Sequence, residues 1–133
     1  MSRFTINFDG GARPNPGPAA IGVVLRDADG KVVEAVGEKI GEATNNIAEY
    51  RALLRGIELA VEHGATDLEV IGDSQLVVRQ IEGAYKVKKP QLKPLHEQAL
   101  SALAELDNWE IRHVMREENA AADDLAGQAL ANA

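Results

Sequence analysis

Apolar and polar residues alternate from Phe4 to Phe8 (Phe-Thr-Ile-Asn-Phe), the period of a strand with one buried face. The run enters Asp9-Gly10-Gly11. From Ala12 to Pro18 there are three prolines in seven residues, which predicts a rigid surface loop. Ala20–Leu25 and Lys31–Val36 read as two further strands, joined by the turn chemistry of Asp27-Ala28-Asp29-Gly30. After Thr44 the spacing changes: Ile47, Tyr50, Leu54, Ile57 and Val61 recur every three or four residues, the stripe of a helix that ends near His63-Gly64.

Asp67–Ile71 forms the next short strand, and Gly72-Asp73-Ser74 turns the chain into a helix that runs to about Ile81. A basic connector, Gly83–Lys89, leads to a helix opened by Pro90 and Pro94 with Leu95, Ala99, Leu103 and Leu106 on its apolar side. Trp109–Val114 is the last strand, and Asn119 caps a final helix through Leu130. The order β-β-β-α-β-α-α-β-α predicts an α/β fold with five strands and helices on two faces. A length of 133 residues fits one domain, 1–133, and 45% apolar content supplies its core. Aromatics are only 4%, so Val, Ile, Leu and Ala must fill it.

The absence of cysteine excludes disulfide scaffolds, thiolate metal sites and cysteine nucleophiles, leaving oxygen and nitrogen chemistry. The start, Met-Ser-Arg, has no long apolar run of a secretory signal or membrane span, so a cytoplasmic location without membrane attachment is expected.

Four carboxylates fall at element ends: Asp9 after the first strand, Glu49 early in the first helix, Asp73 after the fourth strand and Asp123 early in the last helix. In α/β sheets, ligands gather beyond the carboxyl ends of strands, where Asp9 and Asp73 are expected. Crowded carboxylates raise one another's pKa unless a cation neutralises them, and hard oxygen donors favour Mg²⁺ or Mn²⁺. Two such ions about 4 Å apart suit in-line phosphodiester hydrolysis. Each acid also has a local alternative. Asp9 suits a turn; Asn46 and Glu49 have the spacing of a capping box; Asp73 suits a helix cap; Asp123 favours a helix dipole. Asp123 borders the apolar side through Ala126 and Leu130, whereas Asp124 faces Gly127 and Gln128, so Asp123 is the candidate ligand and Asp124 the solvated neighbour.

Phe8-Asp9-Gly10-Gly11 with Asn15-Pro16-Gly17, Thr44-Asn45-Asn46-Ile47-Ala48-Glu49-Tyr50, Gly72-Asp73-Ser74-Gln75, and Asn119 through Asp123-Asp124-Leu125-Ala126 together resemble the motifs of the type 1 ribonuclease H family, particularly its short bacterial and archaeal forms. They occur in family order across nearly the whole chain. The resemblance implies a ribonuclease H-like fold, a mixed sheet of order 3-2-1-4-5, and endonucleolytic cleavage of the RNA strand of RNA/DNA hybrids to 5′-phosphate and 3′-hydroxyl products. It implies that Asp9, Glu49, Asp73 and Asp123 bind two divalent ions, Mg²⁺ or Mn²⁺, with Glu49 also sensing the RNA 2′-hydroxyl. Substrate contacts follow for the Gly11 backbone, Asn45, Asn46 and Gln75. Gly10 and Gly11 would allow close backbone approach, and amides suit ribose hydroxyls. The expected partner is the hybrid alone, with the protein a monomer.

Two departures stand out. The basic protrusion of larger relatives is shortened to Glu82–Lys89, and the family's loop histidine has only His113 to match it. His113 has the family's distance before Asn119, but alignment on Trp109 places it in the last strand. Arg116 resembles an arginine common in short forms, expected to contact phosphate or orient Asp123.

The net charge of −7 looks adverse to nucleic acid. Arg79–Lys93 nevertheless carries +4, leaving −11 on the rest, which includes the four acids. Lys86, Lys88 and Lys89 are therefore candidate phosphate contacts; the alternative is a solvated linker. Two other function classes stay open on sequence: a non-catalytic nucleic-acid-binding domain, and a structural domain whose acids are caps.

Overall fold

The computed structural model describes residues 2–132. Strands β1 (Arg3–Ala12), β2 (Gly17–Arg26) and β3 (Val32–Ala43) are followed by α1 (Asn45–Glu62), β4 (Asp67–Gly72), α2 (Gln75–Glu82), α3 (Lys93–Ala104) and β5 (Asn108–His113). A 3-10 turn, Arg116–Asn119, then enters α4 (Ala120–Ala131). The sheet order is β3-β2-β1-β4-β5. Strands β1 to β3 form an antiparallel meander, and β4 and β5 join β1 in parallel. The α/β class, element order and mixed sheet expected from sequence are those observed.

Alternation along the strands divides the sheet into two faces. Ile6 and Val23 pack beneath Gly56 of α1, while the adjacent position Gly22 lies against Ala122 and Ala126 of α4. The α1 side holds the main core, in which Phe8, Tyr50, Leu53, Ile57, Leu68 and Leu103 are fully buried. Each such side chain contributes about 2 kcal/mol by leaving water. The α4 side packs closer: a Cβ on Gly22 would stand 2.1 Å from the Ala122 carbonyl oxygen, and one on Gly37 2.7 Å from that of Leu125.

Two strand boundaries differ from expectation. Gly10, Gly11 and Ala12 continue β1 by pairing with Ile21, Ala20 and Ala19, so the expected Ala12–Pro18 loop shrinks to Arg13–Pro16. Pro18 has no amide to donate, but its carbonyl accepts the Arg13 N–H at 2.9 Å, so it serves the ladder as an acceptor. Strand β3 runs seven residues beyond Val36, to Ala43, as an edge strand whose outer part is largely exposed. Its half-buried apolar side chains there, Ile40 and Ala43, stand three residues apart across a register shift, so it lacks the apolar alternation that marks a strand in sequence.

Candidate active site

The register of the two central parallel strands sets the first pair of acids. The last β1–β4 pair is Phe8↔Gly72, so Asp9 and Asp73 step off neighbouring strands at the same level. Asp9 is therefore internal to β1, opposite Gly22 of β2, rather than at its end. It projects from the α4 face and is 9% exposed.

The third acid arrives from α1. A Cβ on Gly10 would stand 2.3 Å from the Ala48 carbonyl carbon and oxygen, so glycine allows β1 to pass directly over the first turn of the helix. At that approach the Gly10 amide donates to Glu49 Oε1 at 3.1 Å. Gly10 thus serves the packing of strand on helix, and it also lines the cleft. Gly11 lines the cleft as well, and a Cβ there would meet only Asn45 Oδ1, at 3.8 Å. The helix is capped by Thr44, whose hydroxyl accepts from the Ile47 amide, so the Asn46–Glu49 capping box does not form. Ser74 likewise caps α2 through the Val77 amide, leaving the Asp73 carboxylate for the cleft.

Asp9, Glu49 and Asp73 each present a carboxylate oxygen, all within 4.8 Å of one another. Burial and the neighbouring Asp73 and Asp123 push Asp9 up to about 8. Burial also drives Glu49 well above the usual carboxylate range, with Asp9 and Asp73 adding to it and the Gly10 amide opposing. Asp73 is raised by burial, while hydrogen bonding from Asn119 pulls the other way. Three acids this close, each raised above its ordinary value, fit a hard divalent cation, whose charge would offset their burial and mutual repulsion.

Asp123 lines the same cleft, in the first turn of α4, and its Oδ1 accepts from Arg116 Nη2 at 3.0 Å. Asp124 is exposed. The Arg116 side chain is 69% exposed at the cleft, positioned by the 3-10 turn. The open cleft, about 440 Å³, also includes Asn45, Asn46, Ser74 and Gly127.

Asn119 departs from its expected role as a helix cap. It occupies the N-cap position of α4 without a side-chain cap bond. Only 1% exposed, it donates through Nδ2 to the Phe8 carbonyl at 2.9 Å and accepts through Oδ1 from Asn7 Nδ2 at 3.0 Å. Asn7 Oδ1 in turn accepts from Arg26 Nη1 at 3.1 Å. This amide chain ties the start of α4 to β1 beside both central aspartates. Asn7 was readable only as a polar position in an alternating strand, and Arg26 carried no signal.

The remaining candidates lie at different distances from the acids. Asn45 Oδ1 accepts the Ala12 amide at 2.7 Å, and the Asn45 main-chain N–H donates to Asn15 Oδ1 at 3.0 Å. Asn46 is half-buried in the cleft and Gln75 is exposed at the first position of α2. Lys86, Lys88 and Lys89 are exposed, and Lys89 borders a second depression, about 320 Å³, shared with Asn15, Thr44, Asn45 and Asn46. Asn15 and Thr44 belong to the sequence motifs without an assigned role there; Asn15 comes beside Asn45 because the β1–β2 loop folds back onto α1. His113 ends β5 opposite Gly72 and is not among the cleft-lining residues, because the strand extends through it.

Comparison with known proteins adds an independent line. Residues 7–129 match the family model described as reverse transcriptase-like. A ribonuclease HI of Halobacterium salinarum is 48% identical over 126 residues, which cover 95% of this chain and 63% of that protein. A bifunctional protein of Mycobacterium tuberculosis is 44% identical over 129 residues, 96% of this chain and 35% of its own length. The chain thus spans less than two thirds of these curated relatives. Among solved structures, RNase H1 from Halobacterium salinarum superposes with a TM-score of 0.95 at 46% identity, covering 98% of this chain and 99% of that one. LC11-RNase H1, isolated from compost and solved in complex with an RNA/DNA hybrid, gives 0.90 at 43% identity over 96% of each chain. Among the described residues, no helix is long and apolar enough to cross a membrane.

Proposed function

Because the chain belongs to the type 1 ribonuclease H family, we propose that it is a divalent-metal endonuclease that hydrolyses the RNA strand of RNA/DNA hybrids to 5′-phosphate and 3′-hydroxyl products. The observation that carries the reading is the convergence of Asp9, Glu49 and Asp73 within 4.8 Å, with Asp123 on the same open cleft. Asp9, Glu49, Asp73 and Asp123 would hold two Mg²⁺ or Mn²⁺ ions. When bound, such ions supply a nucleophile at neutral pH and stabilise the leaving oxygen of an in-line phosphoryl displacement.

The chain's own residues provide placement. Asp9 and Asp73 are fixed by adjacent strands and Glu49 by the Gly10 amide, so the three carboxylates are set before substrate arrives. Glu49 Oε1 is held by that amide, which leaves Oε2 to meet a ribose 2′-hydroxyl. Asn45 spends its Oδ1 on Ala12 and keeps Nδ2 for a substrate acceptor. Asn46, Gln75 and the Gly11 backbone supply further polar contacts, which suits recognition of hybrids by groove shape and 2′-hydroxyls rather than base sequence. Arg116 orients Asp123 and meets a phosphate with its remaining donors. Lys86, Lys88 and Lys89 carry the more distant backbone contacts. His113 is outside this arrangement. In this reading residues 1–133 form one catalytic domain, acting as a cytoplasmic monomer.

The test is cleavage of an end-labelled RNA/DNA hybrid in Mg²⁺ or Mn²⁺, beside single-stranded RNA, duplex DNA and the Asp9→Asn variant. Metal-dependent cutting of hybrid RNA alone, lost in the variant, is expected. Hybrid binding without cutting would leave a binding domain and refute the catalytic reading.

A further inference from the structure

We infer that Gln80, a buried residue of α2, is a positioning residue that holds the basic connector Gly83–Leu92 in a fixed shape for the nucleic-acid backbone. The inference rests on the reading that Lys86, Lys88 and Lys89 contact the hybrid.

The connector has no helical or strand ladder of its own, yet it is anchored along its length. Gly83 turns it off α2 with φ of 85°, and the Arg79 carbonyl accepts from Ala84 and Tyr85 at 2.9 and 3.2 Å. Gln80 Nε2 then donates to the Lys86 carbonyl at 3.3 Å. Val87 packs against the main core, and Leu92 is buried. In Lys-Val-Lys-Lys the valine therefore points inward and the lysines outward, giving an ordered basic ridge rather than a solvated linker.

Gln80 connects this ridge to the catalytic helix. It is 4% exposed, and its Oε1 accepts from the Tyr50 hydroxyl at 2.6 Å. Tyr50 is fully buried in α1, immediately after Glu49. The two ends of the amide have opposite partners, a hydroxyl donor and a carbonyl acceptor. Reversing the amide would set its oxygen against the Lys86 carbonyl, so the orientation is determined by the contacts. The Gln80 main-chain carbonyl also faces His96 Nε2 at 3.1 Å, so the Nε2–H form of the ring donates to it from α3. A leucine would fill similar space without burying an amide, a group whose desolvation is offset only if both ends are bonded. The buried amide does what leucine does not: it links α1 to the backbone of the ridge.

The test combines Gln80→Leu, the matched pair Tyr50→Phe/Gln80→Leu and the triple variant Lys86→Ala/Lys88→Ala/Lys89→Ala. The matched pair removes both bonding ends and keeps the core apolar, so it serves if Gln80→Leu alone does not fold. KM and kcat for an RNA/DNA hybrid in Mg²⁺, and the salt dependence of hybrid binding in EDTA, are measured for each. Removal of Gln80 is expected to raise KM about threefold to tenfold, hold kcat within about twofold and flatten the salt slope. Added to the triple variant, it should raise KM no further. A lowered melting temperature with unchanged KM and salt slope, while the triple variant shifts both, overturns the positioning role and leaves the ridge as substrate contact. If the triple variant itself changes neither, the ridge reading fails and the inference falls with it.

Discussion

The Gly10 amide donates to Glu49 Oε1 across 3.1 Å, at a crossing where the Ala48 carbonyl lies 2.3 Å from the site of any Cβ on Gly10. The same approach that brings a carboxylate from α1 to the β1–β4 pair thus forbids a side chain on the strand. Gly10→Ala should displace the first turn of α1 and with it Glu49. Activity is expected to fall at least about 100-fold, because a shift on the order of 1 Å in a catalytic group has that effect. Gly11→Ala is the folding control: its new Cβ meets only Asn45 Oδ1, at 3.8 Å, so its melting temperature should match the parent.

The three acids resist ionisation together, so relieving one should strengthen the metal-free fold. Asp9→Asn removes the charge while keeping the shape, and it should abolish turnover, lowering the rate by roughly 1,000-fold or more, as expected when charge stabilisation is lost at a reacting centre. In EDTA at pH 8 the variant should nevertheless melt above the parent. Differential scanning calorimetry of the two proteins side by side checks this. A variant that melts lower would contradict the proposed repulsion.

The direction of the pH effect follows from Asp9, held at about 8 against an ordinary 3.8. Between those values the native state keeps a proton that the unfolded chain has released, so stability from this group falls as pH rises. Its contribution is complete below about pH 4 and lost through pH 8; Glu49 is shifted in the same direction. Mg²⁺ relieves the repulsion in place of protons. Saturating Mg²⁺ should therefore raise the melting temperature by about 5 °C at pH 8 and hardly at all at pH 5. Equal gains at both pH values would refute the account.

How much of this was visible in the sequence depends on the range of the interactions involved. Asp9 and Asp73 were legible because strand ends and the following glycine or helix start mark them locally. The four motifs also placed Glu49 and Asp123. Asn119 was read as a cap because Asn before a helix usually is one, yet its amide reaches the Phe8 carbonyl and Asn7, more than 100 residues earlier. Similarly, the Asn46–Glu49 spacing suits a capping box, but Thr44 satisfies the helix and Gly10 takes Glu49. In each case a local bond predicted from spacing gave way to one that exists only once β1 lies beside α1 or α4. The outer half of β3 is illegible for a different reason: its packed side chains, Ile40 and Ala43, are separated by a register shift that breaks the period of two.

Arg116 and His113 make opposite predictions. Arg116 pairs with Asp123 at 3.0 Å from an exposed position, so Arg116→Ala should cost less than about 1 kcal/mol of stability but lower kcat/KM about tenfold or more. Arg116→Lys, which keeps the charge without the planar fork, should recover part of that loss. His113→Ala should change kcat/KM by less than about twofold, since the side chain is not part of the cleft lining. Steady-state kinetics on a hybrid substrate distinguish the two positions, and a large loss in His113→Ala would restore the catalytic role suggested by its distance from Asn119.

The position of Asp123 depends on a residue with no chemistry of its own. Gly22 is paired with Asp9 across β1 and β2, and a Cβ there would stand 2.1 Å from the Ala122 carbonyl and 2.8 Å from the Ala126 amide. The helix that carries Asp123 therefore rests directly on the strand beside Asp9, and backbone atoms on both sides leave no flexible side chain to yield. Gly22→Ala must lift α4, moving Asp123 and Arg116 away, while Asp9 and Asp73 stay fixed by the β1–β4 pairing and Glu49 by the Gly10 amide. Overpacking of this kind costs about 1–3 kcal/mol. Activity should fall more than about tenfold, yet stabilisation by Mg²⁺ at pH 8 should persist because the three-acid cluster remains. Gly127→Ala, in the same helix but with nothing within 4 Å of its Cβ, should instead raise stability by about 1 kcal/mol through helix propensity. Thermal melts with and without Mg²⁺, beside hybrid cleavage, separate these outcomes; loss of the Mg²⁺ effect in Gly22→Ala would mean that α4 shapes the cluster itself and not only the placement of its fourth acid.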